Sequence, residues 1–128
     1  MNYGNADVSS GEDSFWLGGS LEIDAQGQLE FVTALEREAL PVDPAHQRAV
    51  KAMWVQPGHG GAFAGKTGSG YDSDRSVFTM GWFIGTARGP RGTVAFAAWR
   101  EGDGWSGPRV REELRATLQQ RGDLAPGR

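Results

Sequence analysis

Cysteine is absent from the 128 residues. That excludes a disulfide framework and any thiolate metal site, and it leaves the redox compartment open because exported proteins can also do without cysteine. Long apolar runs are missing too: none approaches the roughly 20 residues of a helical membrane span. Charge of one sign is not in excess, with 13 Lys plus Arg against 16 Asp plus Glu and a net charge of −3. No electrostatic footprint for nucleic acid or an anionic membrane follows from that balance. Histidine is scarce. His46 and His59 are the two present, and without cysteine or a close-spaced second histidine they read as exposed side chains, not metal ligands. The opening Met1-Asn2-Tyr3-Gly4-Asn5 has neither a basic head nor an apolar stretch, so it does not read as a signal peptide, and as written the chain is expected in the cytoplasm. What is present, 38% hydrophobic residues including 5 Trp and 6 Phe, suffices for one packed core.

Residues 1–14 are polar and turn-forming, after which Phe15-Trp16-Leu17 places three large apolar groups before Gly18-Gly19. Leu29, Val32, Leu35 and Ala39 follow helical spacing, with Asp24 as N-cap and Pro41 just past the end. A second helix is expected from Asp43-Pro44, a cap followed by proline at the first helical position, with Ala49, Val50, Met53 and Trp54 as its apolar face. Three strands are predicted over Ala62–Thr67, Val77–Thr86 and Thr93–Trp99, with Gly89-Pro90-Arg91-Gly92 turning the last two into a hairpin. A closing helix spans Pro108–Gln120 on a stripe of Val110, Leu114 and Leu118, and Gly122 stops it. The expectation is one α+β domain over residues 1–128, an antiparallel sheet of three strands flanked by helices, with 123–128 as a flexible tail. Trp54, Trp82 and Trp99 read as core aromatics. Glu36, Glu38, Glu112 and Glu113 read as solvated helix faces.

Lys66-Thr67-Gly68 admits two chemistries. Counted from Gly60, the segment matches the phosphate-loop pattern of four arbitrary residues between glycines followed by Lys-Thr. Such a loop needs a buried strand before it and a helix starting at its Lys-Thr. Upstream lies the turn-rich Val55-Gln56-Pro57-Gly58-His59-Gly60-Gly61. Downstream, Gly68, Gly70 and Asp72-Ser73-Asp74 oppose a first helical turn. The alternative is a short strand that delivers the triplet to the rim of a site, and the flanks favour it.

Tyr3-Gly4-Asn5, Phe15-Trp16-Leu17, Lys66-Thr67-Gly68 and Gly81-Trp82-Phe83-Ile84-Gly85 occur in order and at about the spacing of class D serine β-lactamases. From about Tyr3 to Gly122 the chain resembles the C-terminal half of that family. It is similar also to the related penicillin-sensing domains and, more distantly, to penicillin-binding transpeptidases. The resemblance implies a periplasmic or extracytoplasmic setting, no cofactor, and a β-lactam or peptidoglycan-peptide-like small molecule as the partner. It implies that Lys66 places an ammonium near the substrate carboxylate and that Thr67 hydrogen-bonds it. Gly68 would keep the strand bare beside the substrate amide. The backbone N–H of Ser69 would donate into an oxyanion hole. Arg111 would grip the carboxylate as a planar fork, with Arg109 close enough in sequence to compete for that role. Trp16 matches the indole that steadies a carboxylated lysine in the family, and Tyr3 and Asn5 line the neighbouring wall.

The departure from the family lies in what precedes Tyr3. The family carries Ser-x-x-Lys and Ser-x-Val upstream of Tyr-Gly-Asn, and none of the eight serines here has a lysine three residues on. The resemblance therefore implies a catalytically incomplete portion whose missing N-terminal half carries nucleophile and base. No Gly-x-Ser-x-Gly elbow replaces them. A non-catalytic penicillin-binding module and a phosphate-loop nucleotide-binding protein stand as the alternatives.

Overall fold

The structure is a computed structural model that describes residues 3–13, 15–16 and 18–127. Ser14, and Leu17 of the Phe-Trp-Leu run, lie outside the described residues. The element order is α1 (Ala25–Glu36), α2 (Pro44–Met53), β1 (Phe63–Tyr71), β2 (Phe78–Gly89), β3 (Gly92–Glu101) and α3 (Gly107–Gln120). The strands form one antiparallel sheet in the order β1-β2-β3. Pro90-Arg91 is the two-residue connection between Gly89 and Gly92, which face each other in the ladder.

The helix signals act as their chemistry requires. Asp24 accepts a hydrogen bond from the Gly27 N–H at 2.7 Å, and Asp43 accepts one from Ala45 at 2.7 Å. Each satisfies a donor that the first turn leaves without a partner. At its C-terminus α1 closes early. Glu38 adopts a left-handed φ of 55° while its N–H reaches Leu35 O and the next N–H, of Ala39, reaches Ala34 O. That paired closure turns the chain before Ala39 can extend the helical stripe.

Residues alternate cleanly across the sheet. Phe63, Phe83, Ala87 and Phe96 face α3, where Val110, Leu118 and Leu124 complete the core, with Leu114 partly buried against it. Ala64 and Thr86 lie on the opposite face, where they share a cavity of about 260 Å³ with Val32 and Leu35 of α1 and Trp54. The molecule is thus a helix–sheet–helix stack. Three expectations need correction. The apolar face foreseen for α2 is only half realised: Val50 and Trp54 are half-buried, but Met53 is 75% exposed and the helix's fully buried residue is Gln47. The Gln47 amide accepts from Leu40 N–H and donates to Leu40 O and Val42 O, stitching the loop that precedes α2. Trp99 is 41% exposed, its ring stacked on Trp82 at 5.8 Å; the two indoles shield each other on the face opposite α3. Finally, Asp123 and Leu124, within the stretch read as a tail, are buried.

Candidate functional site

Antiparallel pairing sends the backbone groups of alternate residues to opposite edges of a strand. On β1 the odd residues point away from β2. Phe63 O accepts from Gln56 N–H at 2.8 Å and the Gly65 N–H donates to Trp54 O at 2.8 Å, whereas Ala62 O accepts from Arg88 on β2. Thr67 and Ser69 continue that outward series, because the register runs unbroken from Phe63 to Gly70. The lower half of the free edge is therefore closed by residues 54–56. The upper half, at Thr67 and Ser69, is open, and neither N–H has a partner among the described residues.

Lys66 leaves β1 on the face opposite α3 and is exposed, yet its ammonium curls to the edge and donates to Thr67 O. The Thr67 side chain lies on the α3 face, against Gly107. Residues 66–71 are strand throughout. This overturns the phosphate-loop reading, because no helix N-terminus follows Lys66-Thr67 to hold an anion.

Helix α3 is fastened to this edge by contacts that sequence alone did not signal. Ser106 makes no side-chain cap; instead the Ser69 Oγ accepts from the Gly107 N–H at 2.9 Å. A Cβ built on Gly107 would sit 2.6 Å from Gly68 O and 2.8 Å from Thr67 Cβ, so only glycine allows this approach. The helix then carries two candidate arginines in different directions. Arg109 lies over the Trp105 ring at 4.2 Å and donates to Gly104 O. Arg111 donates through Nη1 to Gln56 Oε1 at 3.3 Å, and Gln56 Nε2 donates to Gly65 O at 2.9 Å on the β1 edge. Of the two, Arg111 is the one linked to the strand that carries Lys66 and Thr67.

Glu112 bridges Arg111 (Nε, 3.1 Å) and Arg115 (Nη2, 2.7 Å). Hydrogen bonds from Arg115, then those from Arg111, hold its carboxyl below the usual glutamate range. Gln56, His59, Phe63, Arg111, Glu112 and Arg115 line a cavity of about 400 Å³ beside α3.

The remaining residues named from sequence lie apart from this edge. The Tyr3 hydroxyl accepts from Gln28 Nε2 at 2.8 Å and its ring packs edge-on against Phe31 of α1. Asn5 donates to Ser20 O and accepts from Glu22 N–H, clamping the loop before α1. Trp16 is 54% exposed against Phe15. Among the described residues no hydrogen bond, ion pair or aromatic contact joins these three to Lys66, Thr67, Ser69 or Arg111.

Known proteins resemble this chain over most of its length. No family profile matches the chain. Its sequence is 40% identical over 98 residues to β-lactamase OXA-2 of Salmonella typhimurium, covering 76% of this chain and 33% of that protein. Its fold superposes on a class D β-lactamase of Bacillus subtilis with a TM-score of 0.76 and 29% identity, covering 98% of this chain and 50% of the other. The class D β-lactamase FUS-1 of Fusobacterium nucleatum subsp. polymorphum gives 0.77 and 28%, over 95% of this chain and 50% of the other.

The chain is similar to part of the class D β-lactamases.

It spans about a third of the length of the curated relatives it matches and about half that of the solved ones. Within the class D framework, Lys66-Thr67-Gly68 occupies an edge strand, and Arg111 is tethered to that same strand. Gln56, the Ser69 hydroxyl and Gly107 were not legible as site residues. Gln56 sits in what reads as a turn-rich loop, and its partners come from an edge strand and a helix 55 residues away in sequence.

Proposed function

We propose that these 128 residues form the carboxylate-recognition side of a β-lactam site. Lys66, Thr67 and Arg111 would receive the substrate carboxylate, and the Ser69 N–H would serve as one oxyanion donor. The observation that carries this reading is the open upper edge of β1, where the Lys66 ammonium and the unpartnered N–H groups of Thr67 and Ser69 converge. Arg111 is tied to the same strand through Gln56. Such donors act where charge develops on a carbonyl oxygen, and removing one costs about 3 kcal/mol of transition-state stabilisation in well-studied cases. Trp16, Tyr3 and Asn5 belong to the family's wall by resemblance, and within this chain Tyr3 and Asn5 hold the loop before α1. On this reading the parent activity would be hydrolysis of the lactam ring, in a periplasmic or extracytoplasmic setting.

Acylation needs a serine with its base, and no Ser-x-x-Lys occurs in the 128 residues. These residues on their own are therefore expected to bind a penicillin non-covalently and not to hydrolyse it. Purified chain given a chromogenic cephalosporin is expected to show no turnover above buffer, and saturable turnover would overturn the reading. Calorimetric titration with benzylpenicillin separates a binding wall, which releases or takes up heat saturably, from an inert remnant, which does not.

A further inference from the structure

We infer that Gln56 is the positioning residue for Arg111, and that its neutral amide keeps that guanidinium free to take a carboxylate; this rests on the carboxylate reading of Arg111 given above. The Gln56 side chain is fully engaged. Its Nε2 donates to Trp54 O and to Gly65 O, both at 2.9 Å, and its backbone N–H donates to Phe63 O at 2.8 Å. The two Nε2 bonds thus fix the amide plane, and the backbone N–H bond pins the residue to the closed half of the β1 edge. They leave Oε1 directed at Arg111 Nη1, 3.3 Å away.

A guanidinium has five N–H donors. Glu112 takes the Nε–H and Gln56 takes one on Nη1. Three remain, two of them on Nη2 and one on Nη1, which is the pair of nitrogens a carboxylate needs for a two-bond grip. The identity of residue 56 matters in two ways. A glutamate there could not donate to the Trp54 and Gly65 carbonyls. It would also set a second carboxylate against a guanidinium that Glu112 already partly neutralises, in competition with an incoming one. Glutamine holds the arginine without offsetting its charge.

The test uses ¹⁵N-labelled full chain and NMR of the arginine side chains, with Arg109, seated on Trp105, as internal control. Rotation about the Arg111 Nε–Cζ bond is measured in wild type, Gln56→Met and Gln56→Glu, with backbone amide spectra confirming that each variant is folded. Loss of the tether in Gln56→Met is expected to speed Arg111 rotation roughly fivefold and to leave Arg109 unchanged. In Gln56→Glu rotation stays slow. Benzylpenicillin is then titrated. Wild-type Arg111 resonances should shift saturably, and that shift should be lost in Gln56→Glu although the arginine is still held. Equal behaviour of the two variants, or Arg111 rotation unaltered by Gln56→Met, overturns the positioning role. Altered rotation with no benzylpenicillin response in wild type leaves the strut in place but overturns the carboxylate assignment and the purpose inferred from it.

Discussion

Glu112 is one carboxylate serving two guanidiniums, and its protonation state sets how firmly Arg111 and Arg115 are held on α3. Its folded pKa is depressed, first by the Arg115 hydrogen bonds and then by those of Arg111. The stabilisation is therefore complete above the ordinary glutamate value of 4.5 and is lost as the pH falls through the lower folded value. The side chain is half exposed, so the contribution at neutral pH is at most about 1 kcal/mol. Urea unfolding of wild type and Glu112→Gln is expected to show a gap at neutral pH that closes as the pH falls below the ordinary glutamate value; a gap independent of pH would contradict this. Leu124 makes a larger single-residue contribution. It is 2% exposed within the α3 core and its N–H returns to Leu118 O. Truncation to alanine removes packed methyls that the surrounding core cannot replace, so Leu124→Ala should cost about 2–5 kcal/mol. A urea midpoint indistinguishable from wild type would show that residues 123–127 are a tail after all.

Among the elements, the seam between α3 and β1 decides the geometry of the site. Gly107 faces Gly68 O and Thr67, and Gly81 of β2 backs onto Ser106 and the Gly107 nitrogen. Helix and strand thus approach at backbone distance, and the first N–H of the helix is capped from the strand by Ser69. Gly107→Ala would drive a methyl into Gly68 O, a rigid backbone atom, and force α3 outward. The expected cost is about 1–3 kcal/mol of stability, together with amide-resonance shifts concentrated on residues 67–69. An unshifted Ser69 amide would mean that the seam yields without moving the edge. The other end of α3 is closed by Gly122 at φ 73°, whose N–H reaches Gln119 O while the Asp123 N–H reaches Leu118 O. This closure turns Leu124 back into the core. The buried Asp123 carboxylate meets Arg91 and Arg121, both at 2.8 Å, and so ties the β2–β3 turn to the end of α3.

Several large apolar side chains stand exposed on the molecule. Trp16, Val55, Tyr71 and Trp99 are exposed along with Met53, and solved relatives of the same fold are about twice as long. We expect the isolated chain to bind a dye specific for apolar surface and to melt in a concentration-dependent way. A monomer with a sharp, concentration-independent transition would count against marginal folding. The order of elements, the caps at Asp24 and Asp43, the Pro90-Arg91 hairpin, the α3 stripe and the Lys66-Thr67-Gly68 strand were all legible beforehand. Each depends on residues within a few positions of one another, where periodicity and capping chemistry operate. Burial of Gln47 and Leu124, the exposure of Met53 and Trp99, and the choice between Arg109 and Arg111 were not. Those outcomes depend on which distant element supplies a neighbour: a loop in need of donors for Gln47, a core wall for Leu124, Trp105 for Arg109 and Gln56 for Arg111. The local pattern of residues by itself determined which segments are helix or strand and which family's motifs they carry. Only the tertiary structure decided which part of the edge is left open and which arginine is tied to β1, because unpaired backbone groups and side-chain direction arise when strands and helices pack, not before.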